Sequence, residues 1–152
     1  HTFYFWRCLD LTSKTAAALK KTEEAKLYAE LAEKTRNAFH QKFYDKENGT
    51  YGKGGGNIFA LKMGVPSDQY EKVVNALRND IKANDGHLDT GIFGTQFFFE
   101  VLAENGMNDL AYEALNKETF PGFGYGLAQG ATTTWKTGMG AIRKTIPCLA
   151  AD

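Results

Sequence analysis

The composition of the sequence has few features that indicate a function directly. Its 152 residues include only two cysteines, Cys8 and Cys148, which are too few and too far apart for a zinc site or a disulfide framework. Basic and acidic side chains balance at 18 each, so no net field attracts nucleic acid or an anionic membrane surface. No apolar run is long enough to cross a bilayer. These absences argue against a nucleic-acid-binding protein and against a membrane-spanning one.

Cofactor motifs are also missing. The glycine run at residues 52–56 lacks the spacing of a phosphate loop and the Ser or Thr that follows one. No spacing of Cys or His is that of a metal site. The sequence therefore predicts neither a cofactor nor a bound metal.

Helical patterns fill most of the chain. Segments beginning at residues 22, 67 and 108 place apolar side chains at spacings of three and four between charges, as surface helices do. Three other segments are apolar or small around most of their circumference, which is typical of helices covered on several sides: residues 2–19, 57–64 and 91–105. This alternation, which recurs about every forty residues, predicts an all-α fold of antiparallel hairpins, each with an inner and an outer helix.

Long glycine-rich connections lead from each outer helix to the next inner segment. They occupy residues 45–56, 84–91 and 120–130. If the hairpins alternate in direction, all three connections lie at one end, beside the N-termini of the inner helices. Free backbone amides at those termini favour carboxylates and hydroxyl oxygens. A binding site is therefore predicted at that end.

Two phrases in the second half of the chain carry a resemblance to a known family. They are HLDTGIFGTQFFFEVLAENGMNDLAYEAL at residues 87–115 and FPGFGYGLAQGATTTW at residues 120–135. From about Phe3 to Trp135 the sequence resembles the second half of the catalytic domain of bacterial α-L-rhamnosidases, glycoside hydrolase family 78. The resemblance implies an (α/α)6 toroid, of which residues 1–135 form about half. It also implies inverting hydrolysis of terminal α-L-rhamnose by a carboxylic acid and a carboxylate.

The catalytic pair is incomplete by this resemblance. In the family a Glu taken as the general base follows the tryptophan that corresponds to Trp135, and here that position is Lys136. A protonated ammonium has no lone pair with which to deprotonate water. The family's general acid belongs to an upstream segment that this sequence does not contain. We therefore expect an excised piece of a longer protein that is inactive alone.

Other residues are candidates for contact with the sugar. Trp135 could stack on an apolar sugar face or pack in the core with equal plausibility. His87 and Thr90 stand at the head of an inner helix, although a histidine in a loop equally often bonds neighbouring backbone. Tyr51 and Tyr125 could offer ring faces, while turn geometry alone would explain the glycines beside them.

The tail after Trp135 departs from the family pattern in a way that the genetic code can explain. Trp135 is encoded by TGG and the Lys136 codon begins with AA, so one added G between them produces GAA, which encodes Glu. The shifted frame also permits an Asn-His-Pro phrase that resembles the family's continuation. We interpret residues 136–152 as an aberrant, irregular tail from a shifted frame, with ordinary divergence as the alternative.

Two functions remain open at this point. The chain is a fragment of an α-L-rhamnosidase-like hydrolase, or it is a non-catalytic helical module that binds carbohydrate or a protein partner. Half of a ring would expose apolar strips on its flanks, which predicts a homodimer or association with the missing half of the domain. The sequence is compatible with the bacterial cytoplasm and with the periplasm.

Overall fold

The structure, a computed structural model, describes residues 1–132. Their only β-type pairing is an isolated bridge between Asp45 and Thr50. None of the helices in this part of the chain is long and apolar enough to span a membrane. The predicted all-α fold is confirmed. The described residues form seven helices: α1 Thr2–Ala18, α2 Thr22–Phe43, α3 Gly56–Met63, α4 Ser67–Ala83, α5 Gly91–Glu104, α6 Asn108–Asn116 and α7 Phe123–Ala128.

Helix α7 lies where the sequence analysis placed only a glycine-rich connection. Glycine is a poor helix former, so its frequency at residues 120–130 favoured a loop. Close packing explains the difference, because a Cβ at Gly124 would lie 2.9 Å from the carbonyl oxygen of Lys117. Glycine at this position lets the short helix approach the preceding backbone more closely than a residue with a side chain would.

The chain divides into two compact units, which are described separately. Unit 1 comprises residues 1–52 and 56–76, and unit 2 comprises residues 53–55 and those from residue 77 onward. In unit 1, α1 packs along α2, where the Ser13 hydroxyl donates a hydrogen bond of 2.8 Å to the Ala25 carbonyl oxygen. The rings of Phe3 and Phe59, 4.6 Å apart between centroids, join α1 to α3. Apolar burial along α1 and α3 forms the core of this unit.

Unit 2 is built around α5. The phenylalanines at 97 and 98 are both 1% exposed, so this part of the Phe run belongs to the core, as its apolar pattern predicted. Phe99 is half-buried, with its ring centroid 6.4 Å from that of Phe123 in α7. Helix α6 packs on α5 and on α7. The burial of α5 agrees with its predicted position as an inner helix, with α6 as its outer partner.

Candidate functional site

Parts of all three glycine-rich connections come together within unit 2, near the N-terminus of α5. A Cβ at Gly54, in the first connection, would lie 3.9 Å from the carbonyl oxygen of Asp89 in the second. The second connection in turn bonds, through His87, to Thr119, the residue immediately before the third connection. The free amides of the first turn of α5 lie beside them. This cluster is the candidate site.

His87 is buried at the centre of the cluster, with both ring nitrogens occupied by protein groups. Its Nδ1 lies 3.2 Å from the carbonyl oxygen of Asn84, and its Nε2 lies 3.0 Å from the Thr119 hydroxyl oxygen. Nε2 also lies 3.2 Å from the carbonyl oxygen of Thr119, so each ring nitrogen faces a backbone carbonyl. This geometry leaves no nitrogen of His87 for a sugar hydroxyl and agrees with the alternative of backbone bonding.

A turn of unusual conformation holds His87 in place. Asp85 and Gly86, which follow α4, have positive φ angles of 51° and 74°. The Gly86 amide donates to the Ile81 carbonyl oxygen at 2.9 Å, which closes the helix end. A Cβ at Gly86 would lie 2.6 Å from an oxygen of the Glu113 side chain, so the turn packs directly on α6.

Lys117 reinforces the same turn from the segment that follows α6. Its ammonium nitrogen lies 3.2 Å from Glu113 Oε1 and 3.4 Å from Asp85 Oδ2. The hydrogen bond to Glu113, with help from Asp85, raises the pKa of Lys117. Together with His87, these contacts fix the segment immediately before the third connection to the second connection. We call this set, Asp85, His87, Glu113, Lys117 and Thr119, the polar staple.

Thr90 is the predicted site residue that lies nearest the head of α5, and it is half-buried. The Thr95 hydroxyl donates to the Gly91 carbonyl oxygen at 2.8 Å, and the Thr90 hydroxyl lies 3.4 Å from that carbonyl oxygen and 3.2 Å from the Thr95 hydroxyl oxygen. A Cβ at Gly94 would lie 2.6 Å from the Thr90 Cβ, so the glycine makes room for this side chain. The hydroxyl of Thr90 is therefore held in one direction by the first turn of the helix.

Tyr125 lies in α7 and is half-buried. Its ring meets that of Phe120 edge to face, with centroids 5.3 Å apart. Phe120 is nearly half exposed, so the pair forms an aromatic edge on the third connection. The predicted role of Tyr125 in substrate contact stays a prediction.

Tyr51 lies in unit 1, where it is 8% exposed. Its ring stacks on Phe39 at 5.6 Å, and its hydroxyl oxygen lies 2.6 Å from His40 Nδ1. Burial, aided by Tyr44 and Asp68, raises the pKa of Tyr51 to about 12. The surroundings of this tyrosine are those of a structural anchor.

Two polar residues that secure the first connection, His40 and Asn57, do not stand out in the sequence. His40 lies in the last turn of a charged surface helix, where nothing distinguishes it from its neighbours. Asn57 is 2% exposed, and its Oδ1 accepts from the Tyr51 amide at 2.8 Å and from the Thr50 hydroxyl at 3.0 Å. An asparagine at the head of a helix that is otherwise apolar was the available signal for Asn57.

The remaining site predictions lie outside the described residues. These are Trp135, Lys136 and the boundary between residues 135 and 136. Within residues 1–132, no group of three or more His, Cys, Asp or Glu side chains is placed to hold a metal ion.

Paired helices whose inner members begin at clustered glycine-rich connections define a helical-hairpin domain. The model of the bacterial alpha-L-rhamnosidase six-hairpin glycosidase domain matches residues 1–141. The chain belongs to this family.

Individual proteins that resemble this chain in sequence and in structure are alpha-L-rhamnosidases. An alpha-L-rhamnosidase of Alteromonas sp. (strain LOR) is 38% identical over 140 residues, which are 89% of this chain and 15% of that protein. The structure of alpha-L-rhamnosidase from Dictyoglumus thermophilum has a TM-score of 0.83 and 36% identity over 90% of this chain and 16% of that one. Streptomyces avermitilis alpha-L-rhamnosidase complexed with L-rhamnose has a TM-score of 0.80 and 32% identity, covering 91% of this chain and 13% of that one. The chain thus spans about a sixth or less of these relatives.

Proposed function

We propose that this chain is part of an α-L-rhamnosidase and contributes one side of a site for a terminal α-L-rhamnosyl group. The observation that carries the proposal is the family match along residues 1–141, together with the clustered connections at the head of α5. The relatives are alpha-L-rhamnosidases, and one of them is complexed with L-rhamnose. The substrate of the complete enzyme is then a glycoside or glycan with terminal rhamnose.

Different residues of the cluster have different roles in this proposal. Thr90 and Tyr125 contact the sugar, because both are partly accessible at the head of α5 and on the third connection. Trp135 would add an aromatic face of the kind that carbohydrate sites use. His87 and Tyr51 position the connections, because protein groups already occupy their polar atoms.

The isolated chain lacks the catalytic pair in this proposal. Inverting hydrolysis needs an acid on the leaving oxygen and a base on water. The acid belongs to the upstream half of the domain, and Lys136 replaces the base. The purified chain is therefore expected to release no rhamnose from an aryl α-L-rhamnoside above the uncatalysed rate.

A matched variant separates the two deficiencies. Lys136→Glu alone is expected to remain inactive, because the general acid is still missing. Lys136→Glu joined to the upstream half of a relative's domain is expected to gain activity, whereas the same fusion with Lys136 is not. Saturable turnover by the unmodified chain would contradict the assignment of both missing groups.

The second candidate function is binding without catalysis, which the accessible Thr90 and Tyr125 favour. Titration with L-rhamnose, followed by NMR of the labelled chain, distinguishes it from a merely incomplete enzyme. Shifts confined to residues 89–91 and 123–126, and lost in Thr90→Val, would establish a retained sugar site. Saturation at the same rhamnose concentration in Thr90→Val would exclude this residue as a ligand.

Self-association or union with the missing half of the domain is a further part of the proposal. Large apolar side chains are exposed in the described residues, among them Phe5, Ile92 and Phe93. Phe5 lies in unit 1 and the other two in unit 2, and exposed apolar side chains of this size favour a partner. Light scattering is expected to detect a dimer or larger species, and a monomer at high concentration would contradict this expectation.

The tail hypothesis has its own test. Resequencing of the gene across the codons for Trp135 and Lys136 is expected to reveal a GGG run whose length restores Glu. A verified AA-initiated codon directly after TGG would establish ordinary divergence instead.

A further inference from the structure

His40 joins three parts of unit 1. It projects from the last turn of α2, and its Nε2 lies 2.9 Å from the carbonyl oxygen of Gly64, in the turn between α3 and α4. Its Nδ1 lies 2.6 Å from the hydroxyl oxygen of Tyr51, in the first glycine-rich connection. One imidazole therefore connects a helix, a turn and a loop.

The hydrogen positions follow from the partners. The Gly64 carbonyl oxygen only accepts, so Nε2 of His40 carries a hydrogen in every protonation state. In the neutral ring Nδ1 is bare, and the Tyr51 hydroxyl donates to it. All three groups are then satisfied, and the stacked contact between Tyr51 and Phe39 holds the hydroxyl in line.

A second proton on His40 reverses this chain of hydrogen bonds. Nδ1 then donates to Tyr51, whose own hydrogen must turn to another acceptor. Gln69 Oε1 in α4 lies 3.4 Å away, which is near the limit for such a bond. The charged state thus keeps the bond of 2.6 Å with its direction reversed, but it leaves the Tyr51 hydrogen only a weak bond and places a cation in a half-buried position.

The charged groups around His40 come from α2, the connection and α4. On α2, Arg36 opposes a positive ring and Glu33 favours it, but these two side chains pair with each other at 2.7 Å. From the other elements, Tyr44 and Asp68 act on Tyr51. Burial is the largest influence and lowers the pKa of His40. The hydrogen bond to the Gly64 carbonyl oxygen opposes this effect, and Arg36 acts in the same direction as burial.

We propose that His40 is a proton-sensitive clasp, which holds the connection at residues 44–52 against α2 while neutral and loosens its hold on Tyr51 when charged, whereas its bond to the Gly64 carbonyl oxygen persists in both states. Loss of the clasp frees the Tyr51 ring and the backbone that it anchors. This proposal stands independently of the function proposed above.

The direction of the pH dependence follows from linkage. A histidine that loses proton affinity on folding contributes stability above its unfolded pKa, near the ordinary value of 6.5, and loses it as the pH falls. The relevant quantity is the population of an open state in which water reaches His40. When His40 is fully protonated, this population is about tenfold higher than at neutral pH for each unit by which folding lowers the pKa of His40. Above pH 6.5 the clasp adds no pH dependence.

The test is amide hydrogen exchange of the full chain between neutral pH and pH 4, with His40 protonation followed by NMR of the imidazole nitrogens. After correction for intrinsic exchange, protection of the Tyr51 amide is expected to fall along the His40 titration, and protection of the Gly64 amide is expected to change less. His40→Gln keeps a polar side chain at the site and is expected to abolish the pH-dependent part. His87→Gln, in unit 2, is the matched control and is expected to leave it intact.

Two results would overturn the proposal. One is constant protection of the Tyr51 amide across the complete titration of His40 in the unaltered chain, a measurement that needs no variant. The other is an unchanged pH dependence in folded His40→Gln. Retention of the effect in His87→Gln together with its loss in His40→Gln would establish the clasp.

Discussion

The two units secure their glycine-rich connections by opposite means. In unit 1, His40, Tyr51 and Asn57 form a clasp of uncharged groups among aromatic rings. In unit 2, the polar staple combines His87 with ion pairs of Lys117, whose acidic partners are largely exposed. Buried neutral hydrogen bonds are costly to break and sensitive to protonation, whereas exposed ion pairs are weak and screened by salt. The difference predicts that the two connections respond to different perturbations.

The largest expected effect is the loss of the buried amide in unit 1. Asn57→Ala removes the acceptor for the Tyr51 amide and strands a buried N–H, which costs about 2 to 3 kcal/mol of the free energy of unfolding. Asn84→Ala is the matched change in unit 2. Its side chain is exposed and donates to the His87 carbonyl oxygen, so we expect a loss of about 1 kcal/mol. Urea denaturation of both variants measures the difference, and equal losses would remove the contrast between the units.

Alkaline pH should weaken unit 1 through Tyr51. Its folded pKa of about 12 lies above the ordinary value of 10, so its contribution is complete below pH 10 and is lost as the pH rises toward 12. Two pKa units correspond to about 2.7 kcal/mol, which solvent screening reduces to about 2 kcal/mol. The unfolding free energy of Tyr51→Phe should lack this decline. Equal declines in the free energy of unfolding of wild type and Tyr51→Phe between pH 10 and pH 12 would contradict this role of Tyr51.

A smaller effect is expected from a glycine in unit 2. Gly86→Ala must adopt a positive φ of 74° and meets Glu113, which together cost about 1 to 2 kcal/mol. Gly106→Ala has a similar φ of 66° but open space around it, so it measures the backbone strain alone. Addition of Glu113→Ala should restore part of the stability lost in Gly86→Ala but none of that lost in Gly106→Ala. Thermal unfolding of the three variants and the double variant tests whether the close approach to α6 adds to the strain.

The smallest effect concerns the ion pairs of the staple. Lys117→Met keeps the aliphatic length but removes the contacts with Asp85 and Glu113. We expect a loss of stability below that of Gly86→Ala, which molar salt abolishes because salt screens exposed charges. His40→Gln at neutral pH should show no comparable salt dependence. A salt-insensitive loss in Lys117→Met would mean that packing of its aliphatic stem, rather than charge, secures this connection.

Most of the fold was predictable because helical periodicity is a local property. The starts of α2, α4 and α6 at residues 22, 67 and 108 follow from the apolar spacing and are confirmed. The burial of Phe97 and Phe98 followed equally from a helix with apolar residues on several faces. Helix α7 was not predicted, because the packing that stabilises a glycine-rich helix involves Lys117, which lies outside the helix.

The sequence by itself determined the all-α class, the alternation of inner and outer helices and the family, since spacing and short phrases carry all three. Tertiary structure alone decided which polar residues serve as anchors. His40 and Tyr51 are eleven residues apart, and His87 and Thr119 are thirty-two apart. No local pattern connects such pairs. Hydrogen-bond partners of this kind depend on where the chain returns in space, and that is set by the packing of whole helices.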